Sequence, residues 1–327
     1  HSFPTRRSSD LYGFEYVLVI LILAISAVAV LIGMGKLVPT GLYPLAVLAM
    51  SIALLFHRSL ISPYLVGADI QLEYYLGNLV LESGGWDPQA TWTHTAMSNL
   101  QSMLSVVILG PAFSSICGID LIWVLKAIYP LLFALVPLGL FLVVKRQSND
   151  TIAFFSAFLF ISISFFYGEM LQLARQQIAE LFVVLLLLLV TERRMALFPR
   201  VLMVIVFLYS LAVSHYSLTF IMIFLILSGI VWGMPHIYRI FDIPILTRIA
   251  AFFGRPLAAI DDEKSPERPH RRPVLVHFSM LAGFAVLALS WYTYTTDSSN
   301  LTGLTRFIQY QVEALLTDLF NPDSVQG

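Results

Sequence analysis

The chain has few charged residues and a single cysteine. Asp, Glu, Lys and Arg make up 12% of its 327 residues, against roughly 25% in a soluble domain. The lone Cys117 excludes an intrachain disulfide framework and any cysteine-based metal cluster. The sequence carries no nucleic-acid motif and no glycine-rich phosphate loop. The partners to consider are therefore the membrane and its lipids.

Hydrophobic residues, in contrast, are abundant. They make up 58% of the chain, the mean hydropathy is +0.82, and several runs reach the ~20 residues that cross a bilayer. We therefore predict an all-α, polytopic transmembrane helical bundle. Gly110 and Pro111 interrupt the apolar stretch 100–118, which we expect to be juxtamembrane or re-entrant. The predicted spans are about 14–34, 38–57, 121–144, 151–167, 177–191, 198–214, 217–234 and 274–295.

The basic residues orient these spans. If residues 58–120 form an outer loop, the alternation of spans puts thirteen Lys and Arg inside and four outside or at the outer ends of spans. The positive-inside rule favours this arrangement strongly. The four outer residues are Arg58, Lys126, Arg175 and Arg306. We expect an integral protein of the cell membrane with its functional side facing outward.

The chain divides into four parts by composition. Residues 1–11 match the translation of a common sequencing-library adapter, and we set them aside. Residues 12–296 form the predicted transmembrane domain, which includes a proline-rich, charged cytoplasmic loop at 235–273. Residues 297–327 are expected to begin an extracytoplasmic segment that is cut short.

An acidic segment stands out in the predicted outer loop. Asp69 and Glu73 are four residues apart, so a helix places both on one face. The opposite face would carry Leu72, Tyr75, Leu76 and Leu79. The pattern predicts an amphipathic helix on the membrane surface with its acidic stripe turned toward a polar site.

Four polar features converge on the outer face by this topology. They are Asp69 with Glu73; the segment Glu169 to Glu180, which contains Arg175; the turn Ser214-His215-Tyr216; and Lys126. Carboxylates suit general-base chemistry, and the cations suit an anionic leaving group such as phosphate.

Each feature also has a purely structural interpretation. Asp69 and Glu73 could form a solvated loop face, and Arg175 could pair with Glu169 or Glu180. His215 could be structural, and Lys126 could extend to the outer headgroups.

In these residues the chain resembles the GT-C superfamily of membrane glycosyltransferases, especially the lipid A aminoarabinose transferases and protein O-mannosyltransferases. It also resembles archaeal multi-pass proteins with the same pattern. The matching features are Asp69, Tyr74, the Gly84–Pro88 turn with Trp86, Lys126 before Tyr129-Pro130, Arg175 and a basic residue at His215. The chain departs from those families in three places. Its acidic residues are not adjacent, its juxtamembrane helix lacks a Pro-Pro, and His215 replaces a lysine.

The resemblance implies that a sugar passes from a polyprenyl-phosphate donor to a glycan, lipid or protein acceptor in one inverting displacement. Asp69 would be the general base, and Arg175, with Lys126 or His215, would bind the donor phosphate. Glu73, Tyr74 and Trp86 would serve the acceptor or assist. Asp69 and Glu73 would hold Mg²⁺ or Mn²⁺ if a divalent cation is used.

Three alternatives stay open. The first is a transporter or flippase for a lipid-linked or small polar substrate. The second is a polymerase-like or ligase-like enzyme with the same class of donor and another acceptor. The third is a non-catalytic membrane subunit of a glycosylation complex.

Overall fold

A computed structural model describes residues 8–35, 37–88, 90, 95–192, 194–233 and 274–296, and five further residues between 305 and 313. All regular elements in these ranges are helical. The first seven residues, the predicted loop 235–273 and nearly all of 297–327 lie outside the described residues. The helices are α1 Ser8–Gly33, α2 Thr40–Ser59, α3 Asp69–Ser83, α4 Thr95–Gln101, α5 Ser105–Cys117, α6 Leu121–Lys145, α7 Asp150–Ser162, α8 Ser164–Gln172, α9 Ala174–Thr191, α10 Leu197–Ser214, α11 Tyr216–Gly233 and α12 Val274–Thr296.

The structure confirms the all-α membrane fold. A helix lies at each of the eight predicted spans. Among the described residues, α2, α6 and α9 are long and apolar enough to cross a membrane, and α7 with α8 would make a fourth span if the bent pair is one crossing. The apolar stretches within α1, α10 and α11 are shorter. The predicted juxtamembrane stretch 100–118 contains α5 and the last two residues of α4, and both helices are too short to cross a membrane.

Proline and serine explain the irregular turns within the long helices. Pro130 cannot donate the backbone hydrogen bond of a regular helix, and the five residues before Tyr129 form a π-helical turn. Pro111 follows a second π-helical turn, Ser105–Leu109. Between α7 and α8 the chain bends by 62°. The Ser162 hydroxyl there donates to the Phe158 carbonyl at 2.7 Å, a contact that often bends helices.

The described residues form two compact units. The first contains the chain up to Tyr216 together with the residues from Ser290 onward, and the second contains 217–289. The main core of the first unit joins α1, α2, α6, α7 and α9 around aromatic side chains such as Tyr43, Phe133 and Phe154. Many large apolar side chains, for example Phe198 and Leu159, remain exposed. An exposed apolar surface of this extent fits contact with lipid.

A smaller core attaches α3 to the bundle. Ile70 on α3 packs with Leu121 and Tyr129 on α6 and with Ala174 on α9. The buried face of α3 carries Ile70, Glu73, Leu76 and Gly77, so the predicted acidic face does turn inward. The prediction was wrong for Leu76, which is three residues from Glu73 and therefore shares its face. The opposite face exposes Leu72, Tyr75 and Leu79.

Candidate active site

The centre of the site is a pair of carboxylates held by one arginine. Arg175, in the first turn of α9, directs two nitrogens at α3. Its Nη1 donates to Glu73 Oε1, and its Nη2 donates to Asp69 Oδ2 at 2.7 Å. The backbone N–H of Ala174 donates to the other Glu73 oxygen at 2.8 Å. We call Asp69, Glu73 and Arg175 the carboxylate–arginine cluster.

The two carboxylates of the cluster differ in exposure. The Glu73 side chain is fully buried, whereas 47% of the Asp69 side chain is exposed. Burial raises the pKa of Glu73 to about 7, although the Arg175 charge and the hydrogen bonds from Arg175 and Ala174 act in the opposite direction. Glu73 thus holds Arg175 from inside, while Asp69 presents its carboxylate to the outside.

These contacts exclude two of the structural interpretations. Arg175 pairs with neither Glu169 nor Glu180. Glu169 instead accepts from Gln172 Nε2 at 3.1 Å, and Glu180 accepts from Gln176 Nε2 at 3.0 Å. A solvated loop face is also excluded for Glu73, because its carboxylate is buried against α9.

His215 lies between α10 and α11 and is 7% exposed. Its ring stacks on Tyr216 with the ring centroids 5.7 Å apart. Burial, and then the positive charge of Arg175, lower the pKa of His215 to about 3, while the Asp69 charge acts in the opposite direction. The imidazole is therefore neutral at physiological pH and adds no positive charge to the site.

Lys126 holds the start of the outer loop. Its Nζ donates to the Ser62 carbonyl and to the Tyr64 carbonyl at 3.2 Å. The side chain is buried, so it does not extend freely to the headgroups. Lys126 and Arg58 line one cleft. In the sequence, Arg58 was used only as a positive charge that orients the spans. The position of Arg58 at the end of a span, shortly before Asp69, could have marked it as a candidate site residue.

Trp86 and Tyr74 have packing roles in this arrangement. The Trp86 ring stacks on Trp291 at a centroid distance of 6.0 Å, and its Nε1 donates to the Gln101 carbonyl at 3.1 Å. Gln101 Nε2 in turn donates to the carbonyls of Pro88 and Thr295. Tyr74 packs against the small core around Ile70. No local sequence pattern marked Trp291 or Gln101, because both act through partners distant along the chain.

The cluster does not fit a divalent cation. Both Glu73 oxygens already accept hydrogen bonds, and one Asp69 oxygen accepts from the guanidinium. A bound Mg²⁺ or Mn²⁺ would also lie beside the positive charge of Arg175 and would require several oxygen ligands. Within the described part of the chain, no three His, Cys, Asp or Glu residues gather as a metal site would need.

The helices define an all-α integral membrane protein. Residues 200–327 match a family described as "Predicted membrane protein (DUF2206)". The match covers less than half of the chain, and His215 is the only predicted site residue inside it. No curated protein and no solved structure matches the chain.

Proposed function

We propose that the chain is a membrane glycosyltransferase that moves a sugar from a polyprenyl-phosphate donor to an extracytoplasmic acceptor. The observation that carries the proposal is the carboxylate–arginine cluster, in which a buried glutamate and an arginine hold a half-exposed aspartate. A positioned carboxylate that solvent can reach is what a general base requires. The burial of Glu73 and Arg175 supports a role for both as positioning residues.

The proposed reaction is a single displacement. Asp69 accepts the proton of an acceptor hydroxyl or amine as its oxygen or nitrogen attacks the anomeric carbon of the sugar. The bond between that carbon and the phosphate oxygen breaks, and the polyprenyl phosphate leaves with the electron pair. The configuration at the carbon is inverted.

The cluster suggests a different role for Arg175 than phosphate binding. Two of its nitrogens are engaged by carboxylates, and its Nε is buried and has no hydrogen-bond partner. A guanidinium in this state offsets part of the carboxylate charge and fixes the geometry of both carboxylates. The proposal therefore assigns Arg175 to the orientation of Asp69 and leaves the donor phosphate to other cations.

A transfer assay tests the proposal directly. Purified protein would be given polyprenyl-phosphate sugars and a mixture of acceptor glycans, lipids and peptides, and the Asp69→Asn variant would be compared with the parent. We expect the variant to lose about 10²-fold or more in rate, because general-base catalysis contributes this much. Glu82→Gln is the matched control, since Glu82 is an exposed carboxylate on the same helix. Equal rates for the parent and Asp69→Asn would remove Asp69 as the base.

One observation favours a transporter as the second candidate. The bend between α7 and α8 is a candidate broken span, and broken helices often form substrate sites in transporters. It is the only such bent pair in the described ranges. A lipid-scrambling assay in vesicles distinguishes the two functions, because a flippase would move a fluorescent polyprenyl phosphate across the bilayer without sugar transfer.

A further inference from the structure

A second site lies beside the carboxylate–arginine cluster. It is a small, partly open cleft between the end of α2, the start of α6 and the end of α8. Arg58, Ser59, Lys126 and Gln172 give it polar groups, and Ile70 gives it a wall one residue from Asp69. We call it the Arg58–Lys126 cleft.

The cleft is positively charged and contains hydrogen-bond donors that have no partner among the described residues. None of its lining residues is a carboxylate. Arg58 is exposed and forms no hydrogen bond or ion pair with the described residues. Lys126 gives two of its three N–H donors to the carbonyls of Ser62 and Tyr64. The Ser59 hydroxyl is buried without a partner, an arrangement that is unfavourable unless a ligand or water accepts or donates a hydrogen bond there.

The helix ends do not cancel this charge. The carbonyl end of α2 contributes roughly half a negative charge, which is smaller than the two full positive charges of Arg58 and Lys126. An anion with several acceptor oxygens satisfies the arginine, the lysine and the serine hydroxyl together. Phosphate has this chemistry, and arginine matches its geometry with two parallel hydrogen bonds.

We propose that the Arg58–Lys126 cleft binds the phosphate headgroup of a membrane lipid. The cations lie at the ends of two candidate spans, where headgroups are found. Tyr64 and Val66, which line the cleft, are exposed, and an apolar rim suits a lipid chain better than a free ion. Identification of the lipid as a polyprenyl phosphate rests on the proposed function, and the cleft would then hold the donor phosphate beside Asp69.

A binding measurement tests this inference without any sugar transfer. The full chain in detergent micelles would be titrated with radiolabelled farnesyl phosphate, a short polyprenyl monophosphate. We expect Arg58→Gln to weaken binding about tenfold or more, because a charge-assisted hydrogen bond is lost. Ser59→Ala should weaken it by a smaller factor. Arg194→Gln is the control, since Arg194 is an exposed arginine beyond the far end of α9 and should leave the affinity unchanged.

Two competitors separate the sources of binding. Farnesol lacks the phosphate and should compete poorly. Inorganic phosphate should compete only at much higher concentration than unlabelled farnesyl phosphate. Equal affinity of the parent and Arg58→Gln, or strong competition by farnesol, would overturn the phosphate site. Inorganic phosphate as strong as farnesyl phosphate would keep the anion site and overturn its assignment to a lipid. Loss of transfer in Asp69→Asn with binding intact would leave this inference standing, so the two proposals can fail separately.

Discussion

At the residue scale, Glu73 depends on Arg175 for the only positive charge that contacts it among the described residues. Removal of one partner of a buried ion pair strands the other and costs about 3–5 kcal/mol. We therefore expect Arg175→Gln to lower the free energy of unfolding by up to roughly this amount at alkaline pH, and by less near neutral pH, where the buried Glu73 binds a proton instead. Thermal unfolding of the purified protein in detergent, followed by tryptophan fluorescence, measures the effect.

A double variant shows whether the loss of stability comes from the broken ion pair between Glu73 and Arg175. With both Glu73→Gln and Arg175→Gln, no charge is stranded in the interior, so part of the lost stability should return. Residues in direct contact are expected to be non-additive in this way. Additive losses in the two single variants would show that Glu73 and Arg175 are not energetically coupled.

The protonation of Glu73 should also appear in the pH dependence of stability. Its pKa is raised to about 7 in the folded protein, mainly by burial, against about 4.3 in an unfolded chain. Between these values the folded state binds more protons than the unfolded state, so stability falls as pH rises. We expect the apparent melting temperature of the parent, minus that of Glu73→Gln, to decrease from about pH 4.5 to about pH 7 and then to level off. A difference that rises over this range would mean that Glu73 is ionised more easily in the folded protein.

At the element scale, the entry into α3 depends on one glycine. Gly67 has φ +116°, a conformation that strains other residues, and a Cβ built there would lie 2.6 Å from the Cβ and Cγ of Gln172. We expect Gly67→Ala to cost roughly 2–5 kcal/mol from strain and overlap together, measured as apparent melting temperature.

Two adjacent glycines at the other end of α3 give graded controls for this prediction. Gly84 also has positive φ but no atom within 4 Å of its built Cβ, and Gly85 has open space without positive φ. Gly84→Ala should cost about 1 kcal/mol from strain alone, and Gly85→Ala should be close to neutral. An equal loss of stability in all three variants would mean that neither end of α3 tolerates a side chain and that the overlap with Gln172 is unimportant.

The sequence predicted the helices better than it predicted their contacts. Apolar runs located a helix at every predicted span, and the four-residue spacing of Asp69 and Glu73 gave the inward face of α3. The pairing of Arg175 with α3 joins residues about a hundred positions apart, and such pairing depends on tertiary packing that local patterns do not encode. The bend at Ile163 was also missed, because neither proline nor glycine marks it. The sequence showed only the positive charge of Arg58. Its place in a cleft depends on which helix ends meet around it, and local patterns do not encode this.

At the scale of the whole molecule, the side of the membrane on which the cluster lies is a central prediction. Arg175 is the second residue of α9, which runs for 18 residues from Ala174 to Thr191. At 1.5 Å per residue this length is about 27 Å, close to the thickness of the hydrocarbon core. Arg194 should therefore lie on the opposite side of the membrane from Asp69 and from the turn at Gly85.

The single cysteine makes this orientation straightforward to test. In a Cys117→Ser background, Gly85→Cys should react with a membrane-impermeant maleimide added to intact cells, because Gly85 is exposed and lies in the predicted outer loop. Arg194→Cys, also exposed, should react only after the membrane is permeabilised, since the basic residues of its loop favour the cytoplasmic side. A permeant maleimide should label both variants and so confirms that each thiol is accessible. Labelling of Arg194→Cys alone in intact cells would invert the topology and would move the carboxylate–arginine cluster, with its proposed lipid-linked donor, to the cytoplasmic face.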